Sequence, residues 1–415
     1  MRSAGGMIDP SGTPNTTEIR PEVRPSVGSS VGSSVGSSVI RDLLRVIDQP
    51  GMLSMAGGLP APDLLPVARI DEASQRVLAR FGPRALQYAP TEGMAELRAV
   101  VAASIAVPKA DVLITTGSQQ GLDLVARGLL RPGDPVVVES PGYVGALQAL
   151  AAAGADIRPV RTDADGLRAD ELESQLRAGL RPKLVYVVTD FQNPSGATLT
   201  LERRRHLAAL ADQFGFVIVE DDPYGELRFD GERIARLREL SDRVVSLGTA
   251  SKTIAPGLRV AWTIAPQWLL PALVRVKQAT DLHTSSLTQL IVADVLGDRP
   301  FLAGHLDTLR ATYRRRSAAL VEALHTELGP RLEFSDPRGG MFLWAEFTDG
   351  TETSALLPRA IEAGVAFVPG SAFTPHEPGD GPAHHHLRLC FTTLDERDLA
   401  GAARRLAEAS RLVLT

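Results

Sequence analysis

"KLVYVVTDFQNPSGATLTLERRRHLAALADQFGFVIVEDDPYGEL", Lys183 to Leu227, sets two short apolar runs either side of a polar stretch with helical spacing. "KLVYVVT" and "FVIVE" read as strands, and "LERRRHLAALADQF" reads as the helix that crosses between them. The pattern repeats outward from about Leu113 to Ile264, through "VLITT", "PVVVES", "RVVSLG" and "LRVAWTI", with "QQGLDLVARGLL" among the helices. Short β-branched runs alternating with helices argue for crossover units and a mostly parallel sheet. The expected fold class is therefore α/β, a large domain whose sheet is flanked by helices.

Beyond about Pro300 the texture changes. A long Arg/Ala/Leu helix from Phe301 to about Leu328 precedes the strands "MFLWAEF" and "HLRLCFT" and a last amphipathic helix, which together read as a smaller α+β domain. At the other end, residues 1–38 are rich in Gly, Ser and Pro and finish in "SVGSSVGSSVGSS". A phosphate loop needs a preceding strand and a following helix, and only the helix is present, so this segment reads as a flexible tether. From Ser38, "SSVIRDLLRVI" places Val39, Leu43, Val46 and Ile47 on one helix face, with serine as N-cap. The expected layout is a tail at 1–38, a helix and loop at 39–60 joining the small domain, a large domain at 61–300 and a small domain at 301–415.

The 415 residues are 44% apolar and 22% charged, the balance of an ordinary globular protein. A formal charge of -5, with arginines and acids interspersed, gives no basic footprint for nucleic acid or anionic lipid. No span approaches the roughly 18 apolar residues of a membrane helix, and the first residues lack the apolar core of a signal peptide. The single cysteine, Cys390, rules out intrachain disulfides and points to a reducing compartment, so a cytoplasmic location is expected. The 44 basic residues comprise 40 arginines and only four lysines: Lys109, Lys183, Lys252 and Lys277. Lys252 lies in "TASKTIAPGLR", a polar turn between two strand-like runs.

Open parallel sheets bind ligands beyond the carboxyl ends of their strands. After "VLITT" comes "GSQQ", Gly117 to Gln120, opening a helix whose free N–H groups suit a phosphate; taken alone, a plain serine N-cap accounts for it equally well. After "PVVVES" comes Tyr143, an aromatic face. After "KLVYVVT" comes Asn193, an amide donor or merely turn chemistry. After "FVIVE" come Glu220, Asp221 and Asp222, acids that repel one another unless at least one has a buried cationic partner, with Tyr224 close behind. After "RVVSLG" come Lys252 and, seven residues on, Arg259. A phosphate cradle, an acid in need of a cation and an isolated lysine suggest one ligand, pyridoxal 5′-phosphate, whose ring nitrogen, aldehyde and phosphate need those groups.

These residues also resemble a known family. "GGLPAPDLLP", "LQYAPTEGMAELR", "ITTGSQQGLDL", "ESPGY", "FQNPSG", "EDDPYGELRF", "TASKTIAPGLRVAW", "KQATDLHTSSLTQ" and "HHLRLCF" occur in the order found in fold-type I pyridoxal-phosphate aminotransferases of the aspartate aminotransferase superfamily. Within it the chain is most similar to the group of 2-aminoadipate aminotransferases and kynurenine aminotransferase II. The resemblance runs from about Ser38 onward and implies a seven-stranded type of sheet and a homodimer. It implies that Lys252 carries the cofactor as a Schiff base, Asp221 keeps the pyridine nitrogen protonated, and Tyr224 and Asn193 meet the ring hydroxyl. Tyr143 would stack on the ring. Ser118, Gln119, Thr249, Ser251 and Arg259 would hold the phosphate, with Tyr88 reaching across from the other subunit. Arg388 would grip the substrate α-carboxylate through a bidentate pair, near Gly58. Where the family often has Tyr-Gly, this chain has Tyr88-Ala89, which puts the geometry of that loop in question.

The implied reaction is ping-pong transfer of an amino group between an L-amino acid and a 2-oxo acid, with glutamate and 2-oxoglutarate as one pair. Arg41 matches the position from which the 2-aminoadipate group pairs with a distal substrate carboxylate; a solvent-facing helix arginine is the alternative. Decarboxylation, lyase chemistry or oxidation on the same scaffold, or a specialised aromatic aminotransferase, would use the same residues. A cofactor-binding transcription regulator would need a winged-helix domain, for which some 38 residues are too few. His384 to His386 alternate in direction along an extended segment and cannot converge on a metal, so no metal is expected. His283 either lines the site or packs beside it, and Cys390 reads as core filling.

Overall fold

The computed structural model describes residues 50–374 and 383–411. The tail, the helix expected after Ser38 and Arg41 lie outside the described residues. The chain enters through the short strand β1 (Leu53–Ser54) and then builds an eight-stranded sheet. Its strands are β2 (Val112–Thr115), β3 (Pro135–Ser140), β4 (Asp156–Asp163), β5 (Gly166–Leu167), β6 (Leu184–Val188), β7 (Val217–Asp221), β8 (Val244–Thr249) and β9 (Ala261–Ile264). They lie in the order β2-β9-β8-β7-β6-β3-β4-β5.

The run β8, β7, β6, β3, β4 is parallel throughout. Helices such as Leu201–Phe214 cover both faces, so β6 and β7 are buried at every position and show no polar alternation. Strand β9 runs antiparallel between β8 and β2. The segment 250–260 holds no crossover helix, so the chain turns back beside β8. Seven strands carry the sheet; the eighth, β5, is a two-residue edge paired only with the end of β4.

A second, antiparallel sheet has the order β10-β11-β14-β13, from β10 (Leu332–Phe334), β11 (Phe342–Phe347), β13 (Val368–Pro369) and β14 (His386–Cys390). The long helix Arg299–Glu327 packs against the last helix, Glu396–Arg411, beside it. Strand β1 pairs in parallel with β12 (Val365–Ala366), which draws the segment before Gly57 into this smaller unit. Met55, Leu343, Leu387 and Leu389 share one apolar core with Val138, Tyr186 and Val219 of the large sheet. The two sheets are therefore joined through one continuous core.

Loops at the carboxyl ends of the parallel strands are pinned from behind. Arg204, fully buried on the helix Leu201–Phe214, donates to the carbonyls of Thr189 (2.9 Å) and Leu199 (2.8 Å) and to Asp190 (2.8 Å). Asp190 also accepts from Arg228. Removing one member of a buried pair of this kind costs about 3–5 kcal/mol, so the loop carrying Asn193 is strongly fixed.

Candidate active site

The three acids after "FVI" find three separate partners, because the strand pleat sends neighbours to opposite faces. Glu220 faces the rear, accepting from the backbone N–H of Leu237 and the hydroxyl of Ser246, both at 2.7 Å. Asp222 caps Gly225 at 2.8 Å and lies 3.7 Å from Arg236, the cationic partner. Asp221, the last residue of β7 and 5% exposed, faces forward. Its Oδ2 accepts from Tyr186 at 2.7 Å, while its Oδ1 is buried without a partner. Burial pushes this carboxyl up to about 6, against the opposing pull of Tyr186 and Lys252.

Lys252 follows β8, and its ammonium donates to the carbonyl of Gly58 at 2.9 Å. Burial, helped by the nearby guanidinium groups of Arg388 and Arg259, lowers its pKa to about 8. Lys252 lies within electrostatic reach of Asp221, Arg388 and Arg259, Tyr143 within reach of the same three, and Tyr224 within reach of Tyr143, Asp221 and Arg388. Tyr224 packs edge-on against Phe342 at 5.8 Å.

The helix Ser118–Leu129 starts with Gly117, not serine, as N-cap, so Ser118 is already helical and its hydroxyl makes no capping bond. Gly117 has φ of +83°, which favours glycine. A Cβ there would also stand 2.4 Å from Nη2 of Arg259, so the missing side chain lets the guanidinium approach the turn. Arg259 itself takes a left-handed backbone, φ 52° and ψ 44°, at the end of a short 3-10 turn. Thr249 Oγ1 and Ser251 Oγ are 2.9 Å apart on the loop leaving β8. Gln119 donates to the carbonyl of Gly145 at 2.7 Å and accepts from the Tyr143 hydroxyl at 3.5 Å. The Gly117 turn and Arg259 set free helix N–H groups beside a cation.

Arg388 comes from β14 in the other sheet, between Trp344 and Val368. Its Nη1 donates to Asn193 Oδ1 at 2.9 Å and its Nη2 to the carbonyl of Ala56 at 2.6 Å, while its Nε is buried and unpartnered. The guanidinium carbon lies 4.4 Å from the Phe342 ring centroid and 5.2 Å from that of Phe373.

Compared with known proteins, the chain matches the profile of the family described as aminotransferase class I and II over residues 55–406. The chain is a class I/II aminotransferase. It is 42% identical to a 2-aminoadipate transaminase of Thermus thermophilus over 90% of this chain and 94% of that protein. It is 38% identical to an aromatic-amino-acid aminotransferase of Thermococcus litoralis, over 89% and 90% of the two chains. The solved structure of LysN, an α-aminoadipate aminotransferase from Thermus thermophilus complexed with N-(5′-phosphopyridoxyl)-L-leucine, superposes with a TM-score of 0.86. Identity there is 41%, over 92% of this chain and 97% of LysN.

The activity of this aminotransferase is transamination and its cofactor is pyridoxal phosphate. Its own residues fit that group. A buried carboxylate oxygen lacks a cation, an amine is held partly deprotonated, and a glycine leaves room for a guanidinium at a helix start.

Tyr88 is set apart from the other sequence-identified groups: it is 79% exposed and stands edge-on to His283 at 5.7 Å. His283 therefore packs beside Tyr88, with Nδ1 2.8 Å from the carbonyl of Thr284. Ala89 takes no left-handed conformation and packs on an apolar cluster, so its replacement of glycine strains nothing. His385 Nδ1 meets the carbonyl of Thr351, and His386 stacks on Trp344. Among the described residues, no group of three or more His, Cys, Asp or Glu side chains is placed to hold a metal, and no helix is long and apolar enough to cross a membrane. Cys390 is buried in the shared core, 3.1 Å from the Thr392 hydroxyl.

Four contributors escaped the sequence reading. Tyr186 hides inside the apolar run "KLVYVVT"; a phenol amid buried aliphatics requires a polar partner, and that was the available signal. Phe342 lies inside the strand run "MFLWAEF", and Phe373 belongs to no motif. Glu139, fully buried at the end of β3 and pushed up to about 8 by burial, accepts from the Val188 N–H at 3.0 Å and from Gln192.

Proposed function

We propose that this aminotransferase exchanges amino groups between L-amino acids and 2-oxo acids, with glutamate and 2-oxoglutarate as one pair and 2-aminoadipate-like acids among its substrates. The observation that carries the assignment of roles is the bare, buried Oδ1 of Asp221, within electrostatic reach of the Lys252 amine. Such an oxygen is costly unless a ligand brings it a donor.

When bound, pyridoxal phosphate supplies an electron sink for the substrate α-carbon, provided its ring nitrogen stays protonated. Asp221 would keep a proton at that nitrogen, since a cation beside it favours the ionised carboxylate. Lys252 would anchor the cofactor and, once released, take the α-proton and return it. An amine with a pKa near 8 has a usable neutral fraction at physiological pH, whereas a guanidinium has none. Tyr224 and Asn193 would orient the ring hydroxyl, and Tyr143 would cover the ring. Ser118, Gln119, Thr249, Ser251 and Arg259 would hold the phosphate.

Arg388 would bind the substrate α-carboxylate beside Gly58. Its unpartnered Nε leaves a donor for an incoming oxygen, and the flanking Phe342 and Phe373 rings exclude water and fix the guanidinium plane. A distal carboxylate would pair with Arg41, a reading that rests on sequence position and on the similarity to a 2-aminoadipate transaminase.

A homodimer would bring Tyr88 of the partner subunit to the phosphate. Leu86, Tyr88 and Leu282, at 69%, 79% and 41% exposure, form an apolar surface suited to a second copy. Their two loops are joined by Ser286, which donates to the carbonyls of Ala85 and Gln87. A cytoplasmic setting fits the single buried thiol. The test is a panel of amino donors with 2-oxoglutarate. Glutamate-forming turnover supports the reading, and cofactor-dependent loss of carbon dioxide without amino transfer contradicts it.

A further inference from the structure

Lys277 is as anomalous in this arginine-rich chain as Lys252, and the proposed chemistry leaves it unused. It is 0% exposed, in the last turn of the helix Leu270–Thr280. Its ammonium donates to Gln120 Oε1 at 2.9 Å, to Asp281 Oδ1 at 2.8 Å and Oδ2 at 3.1 Å, and to Thr284 Oγ1 at 3.2 Å. Three N–H bonds thus meet three acceptor side chains. The acceptors are themselves tied together. Gln120 Nε2 donates to Asp281 Oδ2 at 2.7 Å, and the Thr116 hydroxyl reaches the same oxygen at 2.9 Å. The Thr116 N–H donates to Gln120 Oε1 at 2.8 Å.

Thr116 and Gln120 bracket Gly117, Ser118 and Gln119. Both ends of that turn are therefore fastened to one ion pair, in which Lys277 is fully enclosed and the Asp281 side chain is 26% exposed. A partly buried ion pair adds little net stability, so its geometry is the feature to explain. A turn entered through glycine has unusual conformational freedom, and anion recognition by N–H groups needs that freedom removed.

We propose that Lys277, with Asp281, is a positioning residue for the phosphate-binding turn, fixing Gly117 to Gln119 in the shape that receives the cofactor phosphate. This rests on the reading that the turn takes that phosphate. Lysine is required because its three protons radiate from one atom toward convergent acceptors, whereas the flat, wider arginine fork cannot match them.

The experiment compares apo-protein affinity for pyridoxal phosphate with that for pyridoxal, which lacks the phosphate, by equilibrium absorbance titration. Lys277→Met should weaken pyridoxal phosphate by about tenfold or more and pyridoxal by less than about threefold. Lys277→Arg should not rescue the loss. Thr116→Val, which removes only the outer hydroxyl contacts to Asp281 and Thr284, should give a smaller loss of the same phosphate-dependent kind, and it decides alone if Lys277→Met does not fold. Equal losses for the two ligands, or none, would overturn the proposal. Ser118→Ala separates the two readings: if it lowers the preference for the phosphorylated ligand while Lys277→Met does not, the network has no such role. If Ser118→Ala leaves that preference unchanged, the phosphate reading fails and this inference with it.

Discussion

Tyr186 donates its hydroxyl to one oxygen of Asp221 at 2.7 Å, and the other oxygen of Asp221 is buried with no partner among the described residues. The phenol fixes the carboxylate, and the bare oxygen marks where a cationic ligand atom belongs. Without that ligand the carboxyl is pushed up to about 6, mainly by burial.

A stability consequence follows for the apo-protein. The native state holds the Asp221 proton more tightly than the unfolded chain, so this group favours folding at low pH and loses that contribution as pH rises through about 6. Asp221→Asn should therefore stabilise the apo-protein at neutral pH by about 2 kcal/mol while weakening cofactor binding. Urea denaturation at pH 3 and pH 8 measures the first effect: the contribution is lost between the unfolded carboxyl value and about 6, so the gain should be large at pH 8 and small at pH 3.

Lys252 makes a kinetic prediction of opposite sense. Its folded pKa of about 8 lies below the usual lysine value, so the neutral amine is lost as pH falls through 8. Covalent uptake of pyridoxal phosphate by apo-protein should slow about tenfold per pH unit below that value and level off above it. Stopped-flow absorbance gives the profile, and a midpoint near 10.5 would mean that the site does not tune this amine.

Arg388→Lys keeps a positive charge and loses the planar fork. The kcat/KM for every amino acid should fall about 30-fold or more, with cofactor affinity little changed. A comparable loss of cofactor would assign Arg388 to the cofactor instead.

Arg41→Ala addresses substrate class. The kcat/KM for glutamate and 2-aminoadipate should fall at least about tenfold relative to leucine or phenylalanine, the contribution of one charge-assisted contact. Equal losses across the panel would remove Arg41 from specificity.

Much of this was legible because the central strands are buried on both faces and stand out as β-branched runs, each followed by polar residues at its carboxyl end. Strand β4 escaped that reading. "DIRPVRTD" is a polar, proline-containing strand near the sheet edge with several exposed positions, so no apolar run announces it. The return of β9 antiparallel to β8 follows from a link without a crossover helix, not from the apolar pattern. Within the site, residue types pointed to Lys252 and to the acids beside Asp221, whereas Arg388 was implied only by the family resemblance, and the separation of Glu220, Asp221 and Asp222 depends on the pleat. The network around the Gly117–Gln119 turn unites residues more than 150 positions apart, which no local pattern displays.

The central claim is that Lys252 and pyridoxal phosphate together carry amino groups. Its most direct test is a single half-reaction: reconstituted protein mixed with L-glutamate and no acceptor, with cofactor absorbance and 2-oxoglutarate followed together. Wild-type protein should bleach its visible band and release 2-oxoglutarate in proportion to bound cofactor. Lys252→Ala should be slower by at least about 10³-fold. Equal rates in the two proteins, or bleaching without 2-oxoglutarate, would contradict the account.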